Sequence, residues 1–405
     1  MIKRHYEKVI IGCCFAFIFA NMGITSTGFA VHQPFIVAID GIGDTGGSLI
    51  LSTRTLVSLI VMFVVDRYYD LLDVRRGIFI ACMLTFFGFL AYSLATNLPV
   101  FILGAVILGV GYGFGGMVAA TILANRWFTE GVGTAIGISS MGSGCAAIIM
   151  PLVVVRVIEA FSLSVAFFVE ACVALVIGIV VVVLLRNRPS DMGLEPYVGK
   201  SGKKRVREHT RMKPAPKGER ALLLVAMVLV GIFCCGGITY ITVLLTSSGF
   251  DASFAATIVS IAGFALMVAK LVVGRMFDIL GSVAASGVMF ALGAAGFIML
   301  CFVETGIAPL MVAGGALIAI GLSLGTVGVS VWSLETAEPE RRTRQIRNFQ
   351  VAYALGGFIA NTLPGIVKDL VGSYLISFEA MLVILVVSAF IVLRYYRKFA
   401  ERPAS

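Results

Sequence analysis

The sequence predicts an all-α membrane protein of twelve transmembrane helices in two pseudo-repeated six-helix halves. Three observations carry this prediction: the length of the apolar runs, the one-sided placement of basic residues, and a repeat between the halves. Hydrophobic residues make up 59% of the 405 residues and charged residues 13%. Soluble domains have roughly 45–50% and 25%, respectively, so the composition excludes a water-soluble core.

Twelve apolar runs have about the length that a helix needs to cross a bilayer. Numbered from the N-terminus, the predicted spans are 9–31, 47–66, 78–97, 100–122, 132–154, 163–185, 221–246, 253–275, 283–303, 308–333, 349–368 and 376–396. The first run lacks a convincing small-residue cleavage site. We therefore interpret it as a retained span and not as a signal peptide.

The 31 Lys and Arg residues lie almost entirely in alternate connections between these spans. The basic connections carry Arg67, Arg75, Arg76, Arg126, the stretch 186–220, Arg275 and the cluster 341–347, and both termini are basic too. The opposite connections carry only Arg156 and Lys368. Because short loops rich in Lys and Arg stay in the cytoplasm, we predict a cytoplasmic (inner) membrane protein with both termini inside.

A basic, proline-containing segment divides the chain, so the predicted domains are 1–185, a cytoplasmic linker 186–220, and 221–405. Topology and contact with anionic lipid account for the net charge of +9, and we do not expect nucleic-acid binding. The eight Cys all lie in apolar runs and form no disulfide or zinc framework. We expect a monomer without metal or other cofactor.

The two halves repeat each other in sequence. Arg67 and Arg275, like Asp70 and Asp278, are 208 residues apart and follow spans 2 and 8. Glycines and prolines of the later spans show nearly the same offset: Gly104, Gly111 and Gly115 recur as Gly314, Gly321 and Gly325, and Gly144 and Pro151 recur as Gly357 and Pro364. Two halves in parallel repeat, with the substrate site between them, are typical of one large class of secondary transporter.

Residues 274–281 read Gly-Arg-Met-Phe-Asp-Ile-Leu-Gly, and this segment resembles the loop signature of the major facilitator superfamily. The copy at 66–73 keeps the central Asp but has Asp in place of both glycines. Two further segments, Asn-Arg-Trp-Phe at 125–128 with 133–138 and the Arg-Pro-Ser-Asp-Met-Gly-Leu-Glu-Pro run at 188–196, resemble oxalate–formate exchangers and monocarboxylate porters. The resemblance implies transport of a small organic anion by alternating access.

Two cations within spans are the main candidates for substrate binding, because a charge in the bilayer costs about 2.5–3.5 kcal/mol on insertion scales. Lys270 lies one turn before the span 8 signature, where the resembling family has a cation that contacts the substrate carboxylate. Arg54 lies about two turns inside span 2 and would supply a second cation. Alternatively, Lys270 snorkels to the interface, and Arg54 reaches the outer interface or pairs with Asp40 or Asp44.

Weaker candidates for substrate binding are His32, at the end of span 1, and three tyrosines of spans 4, 7 and 11, Tyr112, Tyr240 and Tyr353. His32 can accept a proton or bond a carboxylate, or it can be an interfacial residue. The tyrosines can equally be packing or belt residues. Glu170 in span 6 could relay protons, but span 6 is usually peripheral in the resembling fold, which favours a structural pairing.

The proton-coupling residue is not identified by the resemblance. Proton-coupled monocarboxylate porters place an Asp four residues before the span 8 cation, and Leu266 occupies that position here. Four loop residues, Asp70, Arg75, Arg275 and Asp278, are expected to latch the cytoplasmic helix ends and to govern conformation.

The sequence therefore predicts a secondary active transporter, not an enzyme, that moves a mono- or dicarboxylate by proton symport or anion exchange. The alternative within the same fold is efflux of a neutral or cationic amphiphile. That function would favour an acidic residue in the cavity, and the candidate spans have none well placed.

Overall fold

The computed structural model describes residues 5–28, 32, 35–36, 39–197, 212–213 and 215–400. Within these residues the regular structure is helical, and two isolated β-bridges are the only extended pairing. Residues 198–211 and 214 of the predicted linker lie outside the described part of the chain.

Sixteen α-helices follow one another in the described residues, and a π-helix, Phe19–Gly28, continues the first of them. The first eight are α1 Tyr6–Ile18, α2 Gly43–Met62, α3 Val65–Leu71, α4 Val74–Ser93, α5 Leu98–Phe114, α6 Met117–Trp127, α7 Val132–Ala160 and α8 Leu163–Leu184. The remaining eight are α9 Lys217–Thr239, α10 Ile241–Ser247, α11 Ala252–Leu280, α12 Ser282–Cys301, α13 Ala308–Leu322, α14 Val327–Glu335, α15 Arg342–Val371 and α16 Leu375–Phe399.

These helices account for the predicted spans. Ten stretches of helix in the described residues are long and apolar enough to cross a membrane, and the pair α2 and α3, bent by 59°, gives an eleventh. The twelfth predicted span, 349–368, lies within α15. The prediction of an all-α membrane fold is confirmed, and the twelve-helix arrangement in two halves fits.

Several spans are broken where the sequence predicted one continuous run. Span 4 divides into α5 and α6 at Gly115 and Gly116, and span 10 divides into α13 and α14 at the 3-10 turn Ser323–Gly325. Glycine and serine favour such breaks because they allow local departure from the regular i to i−4 ladder. Gly115 and Gly325 are 210 residues apart, so both halves break at the same repeat position.

The helices group into two compact units, Met1–Thr129 with Ile138–Val198 and Glu130–Gly137 with Gly199–Ser405. In the first unit α4 packs against α5 and α8, α2 against α5, and α1 against α8. In the second unit α12 packs against α13 and α16, α11 against α13, and α9 against α15 and α16. The sequence repeat relates these helices, so the same helix pairs form the core of each unit.

Glycines let equivalent helices approach closely in both units. In the first unit, a Cβ atom on Gly104 of α5 would lie 3.2 Å from the carbonyl oxygen of Gly88 of α4. In the second unit, a Cβ atom on Gly296 of α12 would lie 2.9 Å from the carbonyl oxygen of Gly314 of α13. Both glycine pairs are needed because each helix backbone rests on its neighbour and leaves no room for a larger side chain.

A second repeated crossing is closer still. Gly142 of α7 lies against the carbonyl oxygen of Phe15 of α1, and Gly356 of α15 lies against the carbonyl oxygen of Val228 of α9. A Cβ atom at either glycine would overlap the opposite carbonyl group, which is backbone and cannot rotate away. Helices in lipid depend on such packing, because the surrounding acyl chains are as apolar as the helix side chains.

The crossing of α15 with α9 predicts the outcome of a matched pair of substitutions. Gly356→Ala should lower the melting temperature of the purified protein in detergent, because overpacking costs about 1–3 kcal/mol. Gly287→Ala is the control, since a Cβ atom there meets nothing within 4 Å. That change should leave the melting temperature unchanged or raise it, because Ala gains up to about 1 kcal/mol over Gly in a helix. Equal melting temperatures for the two variants would contradict the close crossing.

Candidate functional site

Arg54 of α2 is a half-buried cation in the first unit. Its guanidinium carbon lies 5.9 Å from the centroid of the Tyr112 ring of α5, within the range of a cation–π interaction. Tyr92 of α4 also interacts electrostatically with Arg54. The Nη1 atom of Arg54 is buried and has no hydrogen-bond partner among the described residues. The aromatic contacts thus leave part of the guanidinium's hydrogen-bonding capacity unused.

The sequence offers Asp40 and Asp44 as acidic partners of Arg54. Asp40 is exposed, and the side chain of Asp44 lies outside the described residues. A guanidinium group has five N–H donors in a planar fork that matches a carboxylate or phosphate. An incoming carboxylate can therefore satisfy the open donor of Arg54 and neutralise its charge.

His32 and Glu170 form a second polar group in the first unit. The Nε2 atom of His32 lies 3.2 Å from Oε2 of Glu170 of α8, and neither side chain has exposed surface. The imidazole ring also stacks on Phe167, with 4.5 Å between ring centroids and 17° between ring planes. Phe167 and Glu170 are three residues apart on α8 and so lie on one helix face. This face therefore contacts the imidazole in two ways, through stacking on Phe167 and through the contact of Nε2 with Glu170.

The backbone around His32 is fixed as well. Its carbonyl oxygen accepts hydrogen bonds from the amides of Phe35 and Ile36, both at 3.0 Å. Ile36 and Phe167 belong to one buried apolar cluster, which also includes Ala166 and Ala171 of α8. His32, one of the weaker candidates for substrate binding, thus lies in an apolar setting. It contacts Glu170 of span 6, a span that is usually peripheral in the resembling fold.

Lys270 lies on α11 in the second unit. Only 5% of its surface is exposed, so the side chain is buried in the protein. Its carbonyl oxygen is the closest neighbour of Gly137, at the beginning of α7, where a Cβ atom would lie 2.5 Å from that oxygen. The glycine allows the start of α7 to approach α11 at the level of the lysine.

The candidate tyrosines of the second unit join helices. The hydroxyl of Tyr240 donates to the carbonyl oxygen of Asn361 of α15 at 2.8 Å, and the Cys235 thiol of α9 donates to the Tyr353 hydroxyl at 3.5 Å. The Tyr353 ring also packs on Gly325, at the break between α13 and α14. Both tyrosines therefore stabilise packing of α9 with α15.

Asp278 binds the N-terminus of α7 within the second unit. Its Oδ1 atom accepts from the amide of Gly133 at 3.0 Å, and its Oδ2 atom accepts from the amide and hydroxyl of Thr134 at 2.7 and 2.5 Å. The first amides of a helix have no partner within the helix, and its N-terminal end carries partial positive charge. The carboxylate of Asp278 satisfies both requirements.

The corresponding loop of the first unit is arranged differently. Arg75 donates from Nε to the carbonyl oxygen of Val182 at 2.6 Å, and from its amide to Oδ1 of Asn187 at 2.8 Å, which ties α4 to the end of α8. Asp70 is exposed and interacts electrostatically with Arg126. Arg275, its repeat partner Arg67 and Asp70 all have exposed side chains.

In the first unit, Trp127 of the segment 125–128 contacts residues on both sides of the segment 188–196. The indole of Trp127 donates to the carbonyl oxygen of Arg186 at 3.0 Å, and its own carbonyl accepts from the amide of Tyr197 at 2.8 Å. These contacts tie the end of α6 to the segment that follows α8, which gives both stretches a common structural role.

The sequence candidates do not include Asn21, which anchors the π-helix of span 1. The hydroxyl of Thr85 donates to Oδ1 of Asn21 at 2.7 Å, and Nδ2 of Asn21 donates to the Cys82 sulfur at 3.4 Å. Gly115 packs directly on the Asn21 amide. The sequence signal for this residue was a polar Asn within an apolar run. The structure adds that the residue lies in a π-helix, and π-helices are rare and occur frequently at functional sites.

An all-α protein with two repeated six-helix halves and buried charges within its spans has the architecture of a multi-pass membrane transporter. The sequence profile of the Major Facilitator Superfamily matches residues 13–360. The chain belongs to this superfamily and is a secondary transporter rather than an enzyme. Comparison with curated protein sequences gives no significant match.

Solved structures share the fold at low sequence identity. The human organic anion transporter MFSD10 (TETRAN) superposes with a TM-score of 0.75 at 14% identity, covering 95% of this chain and 99% of that one. The E. coli fucose:proton symporter FucP gives 0.70 at 15% identity, covering 96% and 99%. The proton:xylose symporter XylE gives 0.73 at 16% identity, covering 96% and 95%. At these identities the likeness shows the fold alone.

The cap on α7 yields a prediction about stability. Asp278→Ala should destabilise the protein by about 1–2 kcal/mol, since it removes three hydrogen bonds and the charge at the helix N-terminus. Asp278→Asn should cost less, because one acceptor oxygen remains. Glu340→Ala, at an exposed acid of the same unit, is the control. Chemical unfolding in detergent measures the differences, and equal stability of Asp278→Ala and Glu340→Ala would exclude the capping role.

Proposed function

We propose that this protein transports a small organic anion, a mono- or dicarboxylate, by alternating access. Arg54 and Lys270 would bind the carboxylate, and transport would proceed by proton symport or by anion exchange. We further propose that the protein acts as a monomer in the cytoplasmic membrane with both termini inside, as the distribution of basic loops indicates.

The observation that carries this proposal is that Arg54, a cation within span 2, has a buried N–H donor without a hydrogen-bond partner among the described residues. A cation in a membrane span is costly, and spans carry such residues mainly at substrate or ion pathways. The Tyr112 ring offers a cation–π contact of about 0.5–2 kcal/mol, which offsets only part of that cost. An anionic substrate would complete the neutralisation and would fill the open Nη1 donor.

Lys270 supports the same choice of substrate from the second unit. It is almost fully buried within a span, and its ammonium group is a compact point charge that suits a carboxylate. Transport of a cationic amphiphile would require an acidic group in place of these cations. Among the structural relatives, MFSD10 is described as an organic anion transporter, whereas FucP and XylE are sugar symporters, so the fold alone does not select the substrate.

Transport by purified protein in liposomes tests the proposal. Radiolabelled formate, lactate, oxalate and succinate are offered from outside, with and without an inward proton gradient. Uptake is measured against protein-free liposomes, because undissociated acids also cross lipid unaided. Protein-dependent accumulation of at least one acid is expected. If folded protein moves none of them, the organic-anion assignment is wrong.

The roles of the two cations are tested by substitution. Arg54→Gln and Lys270→Gln should each lower the initial uptake rate at least about tenfold, since loss of a buried charge–carboxylate contact costs about 2–5 kcal/mol. Arg156→Gln is the matched control, because Arg156 is exposed on α7. Size-exclusion profiles confirm that each variant is folded. Uptake by Arg54→Gln at the rate of the control would remove Arg54 from the substrate site.

A further inference from the structure

The pair of His32 and Glu170 is a buried titratable group that binding of a substrate anion does not explain. A carboxylate repels an anion, so Glu170 is an unsuitable ligand for the proposed substrate. Both side chains are fully enclosed, with 3.2 Å between Nε2 and Oε2. Apolar side chains would stabilise a contact between span 1 and span 6 at least as well, since replacing a buried ion pair with hydrophobic residues is often neutral or stabilising.

The proton content of the pair decides its charge. Without a labile proton, a neutral imidazole faces a carboxylate, and the pocket carries one negative charge. With one proton, the pocket is neutral, as an imidazolium with a carboxylate or as a neutral imidazole with a carboxylic acid. Burial of a net charge is far more costly than burial of a neutral pair, so the enclosed pair holds one proton. Release of that proton requires a conformation in which water reaches the pair.

Few other titratable groups face the pair. Among the described residues, α4, α1 and the π-helix make the main contacts with α8, and Phe101 of α5 also reaches the Phe167 ring. From α4, Tyr92 lies 5.2 Å from the Phe167 ring, between ring centroids, and Tyr92 in turn interacts with Arg54 of α2. Cys82 of α4 and Tyr6 of α1 face the opposite end of α8, beside Gly178 and Leu184. The π-helix Phe19–Gly28 carries no titratable side chain. Among the described residues, His32 is thus the side chain that acts electrostatically on Glu170.

We propose that the His32–Glu170 pair is the proton-binding site that couples transport to the proton gradient. One proton is taken up from water onto the pair, is held in the enclosed state, and is released to water on the other side of the membrane. The proposal rests on the proposed function for the identity of the co-transported anion, and it selects proton symport over anion exchange. A monocarboxylate that moves with this proton moves without net charge.

Infrared difference spectra of the purified full-length protein test the site without any substrate. Spectra are recorded across roughly pH 5 to 8, the range in which histidine titrates. The pair is expected to give one titrating set of imidazole and carboxyl bands, because two strongly interacting groups titrate as a unit. These bands should disappear in both Glu170→Gln and His32→Gln.

Matched controls come from exposed groups of the same types. His5→Gln and Glu159→Gln alter an exposed histidine and an exposed acid and should leave the bands of the pair intact. Glu170→Gln keeps the shape of the side chain, and its amide can still hydrogen-bond to the imidazole, so this variant alone decides the outcome if His32→Gln does not fold. Wild-type spectra without bands that depend on Glu170 would overturn the proposal and leave the pair a structural contact.

The liposome assay tests coupling separately from proton binding. An inward gradient of about one pH unit supports about tenfold accumulation of an acid that moves with one proton. Glu170→Gln should lose this accumulation and fall to the equilibrated ratio, while it still exchanges radiolabelled for unlabelled acid at equal pH. Accumulation by Glu170→Gln equal to wild type would overturn the coupling role. If wild-type protein moves no acid of the panel, the proposed substrate fails, and the infrared bands still decide the proton site.

Discussion

Contact between helix backbones at glycine is the constraint on which the rest of the structure depends. In lipid, apolar side chains gain nothing by leaving their surroundings for one another, so close packing must hold the helices together. The crossings of Gly142 with Phe15 and of Gly356 with Val228 bring backbone against backbone in each unit. In both units the crossing is made by the first and fifth spans of the half. The few polar side chains in the spans are positioned by this rigid frame.

The polar groups of the spans differ in how far they are satisfied. The Asn21 amide has its partners in Thr85 and Cys82. Arg54, in contrast, keeps a buried donor without a partner among the described residues. Satisfied groups fix the helices in one arrangement, whereas an unsatisfied buried donor is costly until something binds to it. The Asn21 amide therefore holds the fold, whereas the open donor of Arg54 is the basis for proposing this residue as a ligand of the substrate anion.

The sequence predicted the fold well for two reasons. Bilayer thickness sets the length of an apolar run, and the repeat shows the same six-span pattern twice. The breaks at Gly115 and at Ser323–Gly325 were not predicted, since glycine in a membrane helix serves packing as often as it interrupts the helix. Contact of His32 with Glu170 was beyond sequence reasoning. The two residues are far apart in the chain, and an isolated apolar helix gives no indication of which face is buried.

Helix length determines which contacts respond to the aqueous phase. At 1.5 Å per residue, the 29 residues of α11 extend over about 44 Å, well beyond a hydrocarbon layer of about 30 Å. Asp278, with its bonds to Gly133 and Thr134, lies in the last turn of α11, and its side chain is partly exposed. Mobile ions screen exposed charges over about 8 Å at physiological ionic strength. The strength of this cap on α7 therefore depends on the salt concentration around it, whereas the enclosed pair of His32 and Glu170 is shielded from salt.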